Sequence, residues 1–193
     1  SLYVPAPGDM AAVDNAIVNL SEGDLFGMSM LKKLRTMKGV LEALSRRVDC
    51  VVANPPYLGS GHFNSYMSNW IKREYPDEKG DLCTCFIRRG FGLATAYGYS
   101  SMVTMQAWMT QGTYARMRKK ILEANGILGM AHLGAHAFNQ ISGEKVQVVA
   151  TVFLSSRYQG KGTYLKLTDC CDASSKECNL REAANNAICA WRF

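Results

Sequence analysis

Four consecutive residues, Asn54, Pro55, Pro56 and Tyr57, carry the groups best suited to chemistry in this sequence. They come directly after a short apolar run, Val48 to Ala53, and in open α/β sheets ligands bind beyond the carboxyl ends of strands. Each proline fixes its own φ and disfavours helical geometry at the residue before it, which holds Asn54 extended at the strand tip. Two successive prolines also remove two N–H donors. What remains is a pair of acceptors, the Asn54 side-chain oxygen and the Pro55 carbonyl, beside a phenol ring on which a planar group can stack. That set suits a planar group bearing an exocyclic amino function. Accepting both of its N–H hydrogens draws the nitrogen lone pair out of conjugation and raises its nucleophilicity. Attack on an activated carbon then needs no strong base, only position and electrostatics.

Such a corner must be held by a sheet. The run 48–53 is continuous enough to predict a strand buried on both faces, as in a parallel sheet. Before it, Leu31, Leu34, Met37, Leu41 and Leu44 recur at three- and four-residue steps with Lys32, Lys33, Arg35 and Lys38 between them. This predicts an amphipathic helix over 25–47, broken near Gly39. After the tetrad, helices are predicted over 63–73, 81–97 and 113–124, the last stopping near Asn125-Gly126. Strands are predicted over 99–105, 127–133 and 146–154, and one more helix over 179–191. Strands alternating with helices define an α/β sheet. The last two strands have no helix between them and are expected to pair antiparallel.

The 193 residues correspond to one ordinary domain or a large piece of a bigger one. Apolar residues at 48% and charged residues at 20% exclude disordered and fibrous chains. No apolar run is long enough to cross a bilayer. The start of the chain carries no secretion signal, and Ser1 stands where an initiator Met would, so a cut from a longer cytoplasmic protein is expected. A net charge of +6 and a pI near 9.0 favour a polyanionic partner, nucleic acid first. Seven irregularly spaced cysteines read as reduced thiols and not as a disulfide framework. Cys83 and Cys85 point about 200° apart on a helix, which suits packing. His132 and His136 lack a third ligand, so no metal site is expected. Met102, Met105 and Met109 read as core, and Arg116, Arg118, Lys119 and Lys120 as a solvated helix face.

The tetrad after an apolar strand resembles the catalytic motif of the N6-adenine DNA methyltransferases. The resemblance extends over roughly residues 25–155. It takes in Asp49-Cys-Val-Val-Ala-Asn-Pro-Pro-Tyr-Leu-Gly, Tyr75-Pro-Asp, Lys79-Gly-Asp-Leu, Gly98-Tyr, Met102-Val-Thr-Met-Gln-Ala-Trp-Met, and His132-Leu-Gly-Ala-His-Ala-Phe with Ile141-Ser-Gly-Glu. In that order the segments look like the PglX-type adenine methyltransferases of BREX and phage-growth-limitation defence. The resemblance implies a Rossmann-like class I S-adenosylmethionine-dependent fold, of which this is the substrate-side part of the sheet with a terminal antiparallel hairpin. It divides into a helical lead-in, 1–47, a catalytic core, 48–155, and a C-terminal extension, 156–193.

The resemblance also assigns roles. Asn54 and the Pro55 carbonyl, with Pro56 stiffening the turn, hold the target amino group, and Tyr57 stacks on the adenine. Phe138 packs on the edge of the base. Asp81, Leu82 and Phe86 border the adenine of S-adenosylmethionine, the methyl donor. The partner is duplex DNA with the adenine flipped out, since N6 cannot be reached inside the stack. No strand–Gly-x-Gly–helix unit precedes the tetrad, so the main cofactor loop is expected in a missing N-terminal part and a target-recognition domain beyond Phe193. Gly59-Ser60-Gly61 is expected to be a flexible lip of the substrate pocket. Two rivals stay open: a protein-glutamine methyltransferase, whose carboxamide substrate is another planar amino group, and a DNA-contacting fragment without turnover.

Overall fold

The computed structural model describes residues 2–20, 25–138, 146–185 and 191–192. The chain divides into two compact units, Ser1–Arg47 and Val48–Phe193. In the first, α1 (Pro7–Asn19) lies against α2 (Leu25–Ser45). Pro7 opens α1 at a position where the missing N–H costs nothing, and the Asp9 carboxylate accepts the Ala6 N–H at 2.8 Å. Val13, Leu31 and Leu34 are buried, and Lys38 pairs with Asp14 at 2.7 Å. α2 runs through Gly39 without the expected break. A mid-helix glycine costs only about 1 kcal/mol, and the flanking turns absorb it.

The second unit is built on a six-stranded sheet of order β1-β2-β4-β3-β5-β6. Its strands are β1 (Val48–Ala53), β2 (Ala94–Met105), β3 (Gly126–Gly134), β4 (Val148–Leu154), β5 (Thr163–Lys166) and β6 (Trp191–Arg192). β1 and β2 are parallel and are joined through α3 (Ser65–Glu74) and α4 (Leu82–Leu93). α5 (Ala107–Thr110) and α6 (Ala115–Ala124) lead from β2 to β3. β3 and β4 form the expected antiparallel pair, and β5 runs parallel to β3. α7 (Ala173–Asn185) comes after β5. By this topology the carboxyl ends of β1, β2, β3 and β5 meet at one edge of the sheet.

The core lies between the sheet and helices α4 to α6. Ile87, Met102, Trp108, Tyr114, Met117, Ile121, Val149 and Phe153 form one buried cluster. Phe153 is fully buried; Phe91 meets it edge-on at 5.3 Å and Trp108 at 5.9 Å. Removing such a ring typically costs about 3–5 kcal/mol.

Several boundaries differ from the sequence reading, each for a tertiary reason. β1 is not buried on both faces: Val52 is 76% exposed and Val48 39%. Among the described strands it has a single neighbour, and only Val51 and Ala53 turn toward the core. α4 ends at Leu93, four residues early, and β2 starts at Ala94 instead of Tyr99. The early start is accommodated by an irregular register between Val48↔Ala94 and Cys50↔Tyr99. Gly98 makes this possible, because a Cβ there would lie 2.9 Å from the Asp49 carbonyl oxygen. α7 begins six residues before the expected helix, and Trp191 belongs to a strand.

Candidate active site

β1 ends at Ala53, which pairs with Met102 of β2, and the tetrad turns out from that tip. The Asn54 and Pro56 side chains are exposed, Pro55 is buried and Tyr57 is half-buried. Pro55 therefore anchors the corner while Asn54 faces solvent. The Tyr57 hydroxyl lies 3.3 Å from both the Asn54 Oδ1 and the Val103 carbonyl oxygen. Both distances exceed the ~2.7–2.8 Å of a good O–H···O bond, and one hydrogen serves two acceptors. The tether holds the ring beside Asn54 yet leaves the amide oxygen available to a better donor. Burial, then Cys83 and Asp81, push the Tyr57 phenol up to about 12, so it stays protonated at neutral pH.

The loop beyond the tetrad is pinned to the start of α4. Asp81 caps that helix, its Oδ1 accepting the Cys83 N–H at 2.9 Å and the Leu58 N–H at 3.3 Å. The Leu82 N–H reaches the Leu58 carbonyl and the Ser60 N–H the Gly80 carbonyl, each at 2.9 Å. Gly59 bridges to Asp81, and Ser60–His62 form a single 3-10 turn. The glycine segment is thus tied down and is not the flexible lip expected of it. Gly80 is required here, since a Cβ would come within 2.4 Å of the Tyr114 hydroxyl. Thr84 closes the turn with hydrogen bonds to the Glu78 and Asp81 carbonyls, both at 2.6 Å.

The other expected site residues sit further along this edge or beneath it. Leu82 is buried, and Phe86 is partly buried against the core. Phe138 is half-buried in the loop after β3, at the same strand-end edge as the tetrad. Two left-handed residues, Gly134 (φ 66°) and His136 (φ 56°), turn the chain there. Among the described residues no hydrogen bond or ring contact joins Phe138 to Tyr57. Residues Ile141 to Glu144, part of the family resemblance, lie outside the described residues. Trp108 is buried and donates from Nε1 to the Thr104 hydroxyl at 3.1 Å. Arg118 is not merely solvated: its Nη1 ties down the carbonyls of Trp108 and Gln111 at 2.8 and 2.6 Å.

One polar chain at this edge escaped the sequence reading. Gln106, just past β2, donates to the Gln147 side chain and meets the His132 Nε2 of β3. The Gln106 N–H also reaches the Gln147 carbonyl at 2.9 Å. Three residues far apart in sequence carry no common signal; only the sheet order brings them together. Among the described residues no group of three or more His, Cys, Asp or Glu could hold a metal, and no helix is long and apolar enough to cross a membrane.

The strand order and the antiparallel β4 define a class I S-adenosylmethionine-dependent methyltransferase fold. A protein of Listeria monocytogenes described as such superposes with a TM-score of 0.50 at 17% identity, covering 74% of this chain and 43% of that one. Residues 20–138 match the Eco57I restriction-modification methylase family model, and the chain belongs to that family. It is similar to the adenine-specific methyltransferase PglX of Lacticaseibacillus casei, 34% identical over 155 residues, covering 80% of this chain. It is also similar to the adenine-specific methyltransferase BrxX of Escherichia coli, 40% identical over 128 residues, covering 65% of this chain. The chain spans 13% and 10% of those two relatives' lengths.

Proposed function

We propose that this chain is the catalytic segment of a longer DNA methyltransferase that methylates adenine N6 at a specific duplex site, in phage defence or restriction-modification. The observation that carries the reading is the exposed Asn54 amide oxygen at the tip of β1, with the Tyr57 ring held beside it. The relatives' designation as adenine-specific methyltransferases supports the choice of substrate. Within the segment, 1–47 is the helical lead-in, 48–155 the catalytic core and 156–193 a C-terminal extension. The protein acts in the cytoplasm, with the rest of the methyltransferase supplying target recognition.

The target adenine is flipped out and stacks on Tyr57, with Phe138 against its edge. Asn54 Oδ1 and the Pro55 carbonyl each accept one N6–H. Polarised in this way, the amino nitrogen gains nucleophilicity while staying neutral, and the product ammonium releases its proton without a dedicated base. S-adenosylmethionine, when bound, supplies an electrophilic methyl carbon. The residues present fit one flank of it: Phe86 offers a partly exposed ring and Leu82 an apolar wall, while Asp81 Oδ1 is already committed to the Leu58 and Cys83 amides. We therefore assign Leu82 and Phe86 to the cofactor's adenine, and to Asp81 mainly the support of that wall.

Incubating the full-length protein with methyl-labelled S-adenosylmethionine and either plasmid DNA or plasmid-free cell protein tests the reading. Label is expected in plasmid N6-methyladenine. Label confined to protein glutamine would overturn it.

A further inference from the structure

A cavity lies at the same strand-end edge, several strands across the sheet from the tetrad. It measures about 620 Å³ and is lined by Met109, Met130, His132, Tyr164, Lys166 and Asp169. Its size falls inside the ~300–1,000 Å³ usual for small-ligand sites. The sheet builds it from paired positions: Met130 stands opposite Tyr164, and His132 opposite Lys166, on the parallel strands β3 and β5. Residues two apart on a strand share a face. The floor is therefore thioether and phenol, and the rim toward the strand ends is imidazole and ammonium.

The electrostatics of the rim favour an anion. Lys166 is exposed and pairs with Asp169 at 3.1 Å. Lys176 lies beneath, 3% exposed, with its ammonium on the Leu167 and Cys170 carbonyls at 2.8 Å each. A buried ammonium usually has a carboxylate partner, yet among the described residues Lys176 forms no ion pair. Against these two lysines stand Asp169 and Asp172, whose carboxyls they help hold low, while at His132 the positive potential of the lysines prevails. Burial, together with Lys166 and Lys176, lowers the His132 pKa and keeps the imidazole neutral at pH 7. With Nε2 held at Gln106, the ring presents an uncharged edge and face.

An apolar, thioether-lined pocket with an aromatic wall and a cationic rim matches a flat heterocycle carrying a phosphate. We propose that this cavity is a nucleotide-binding site, taking the base against Tyr164, Met109 and Met130 and the phosphate at Lys166. The nucleotide can be a free mononucleotide or one residue of a DNA strand. β3 and β5 are three and four strands from β1, so the cavity is roughly 15–20 Å from Asn54 along the edge. At ~3.4 Å per nucleotide a strand entering it would do so about four to six steps from the target adenine.

Methyl-labelled methionine makes the test direct, because Met109 and Met130 line the cavity while Met102 and Met117 sit in the core as controls of folding. The labelled full-length protein is titrated in two arms, with deoxyadenosine monophosphate and with a short single-stranded oligodeoxynucleotide. The Met109 and Met130 methyl signals should shift in at least one arm, and the arm that shifts them identifies the source. Affinity should fall roughly tenfold or more in Lys166→Glu and in Tyr164→Ala and return in Lys166→Arg. The Met102 and Met117 signals should stay in place in every variant. The proposal is overturned if neither probe moves the two methyl signals, or if Lys166→Glu binds as the native chain does. Since no methyl transfer is read, failure here and failure of the adenine-methylation reading are separate results.

Discussion

At the scale of single residues, Asn54 and Tyr57 have different duties. Tyr57 contributes its face, and its hydroxyl makes only two long contacts, at 3.3 Å. Tyr57→Phe in the full-length protein should therefore stay within about fivefold of native methylation, since a net hydrogen bond contributes only ~0.5–1.5 kcal/mol and these are poor ones. Tyr57→Ala removes the stacking surface, about 1–3 kcal/mol, and should cost roughly 5- to 150-fold in kcat/KM. Equal losses in the two variants would show that the hydroxyl, not the ring, does the work. The placement of the tetrad at the tip of β1 was legible in the sequence because proline geometry is local and needs no tertiary partner. The chain of Gln106, Gln147 and His132 was not legible. Its members come from the ends of three strands whose order no local pattern encodes.

At the scale of elements, the clasp between the tetrad loop and the start of α4 is what fixes the corner. Asp81 is its centre, as helix cap and as acceptor for the Leu58 amide. Asp81→Ala should destabilise the chain by about 1–2 kcal/mol, read as a lower urea midpoint, because an N-cap is lost together with the clasp. Asp81→Asn keeps a capping oxygen and should stay within a few tenths of native. Near-native stability of the alanine variant would contradict the role given to the clasp. The Asp81-Leu82 step was visible in the sequence, but its bond to Leu58 was not, and so Gly59-Ser60-Gly61 read as loose. The elements themselves were largely legible where periodicity is strong, as in α2, α6 and the β3–β4 pair. Their limits were missed where a partner strand decides them, as at Ala94, which β2 recruits from an otherwise helical pattern through its pairing with Val48.

For the molecule as a whole, the groups around α4 set an alkaline limit. Burial raises the Cys83 thiol, pushes the Cys85 thiol up to about 12 and pushes the Tyr57 and Tyr114 phenols up to about 12. The ordinary values are 9.0 for the thiols and 10.0 for the phenols. Above pH 9 the unfolded chain therefore releases protons that the native chain keeps, so stability is full below that point and falls as pH rises toward 12. Urea midpoints taken below pH 9 and again above pH 10 should drop, and an unchanged midpoint would contradict the burial of these groups. The same polarity of design, apolar beneath and acceptor-rich at the tip, underlies the central claim about Asn54. The most direct measurement of that claim is methylation of plasmid DNA by the full-length Asn54→Ala protein, read as N6-methyladenine alongside calorimetric binding of S-adenosylmethionine. Methylation should fall a hundredfold or more, about 3 kcal/mol of lost stabilisation, with cofactor binding within about twofold of native. Near-native N6-methyladenine in that variant would contradict the claim.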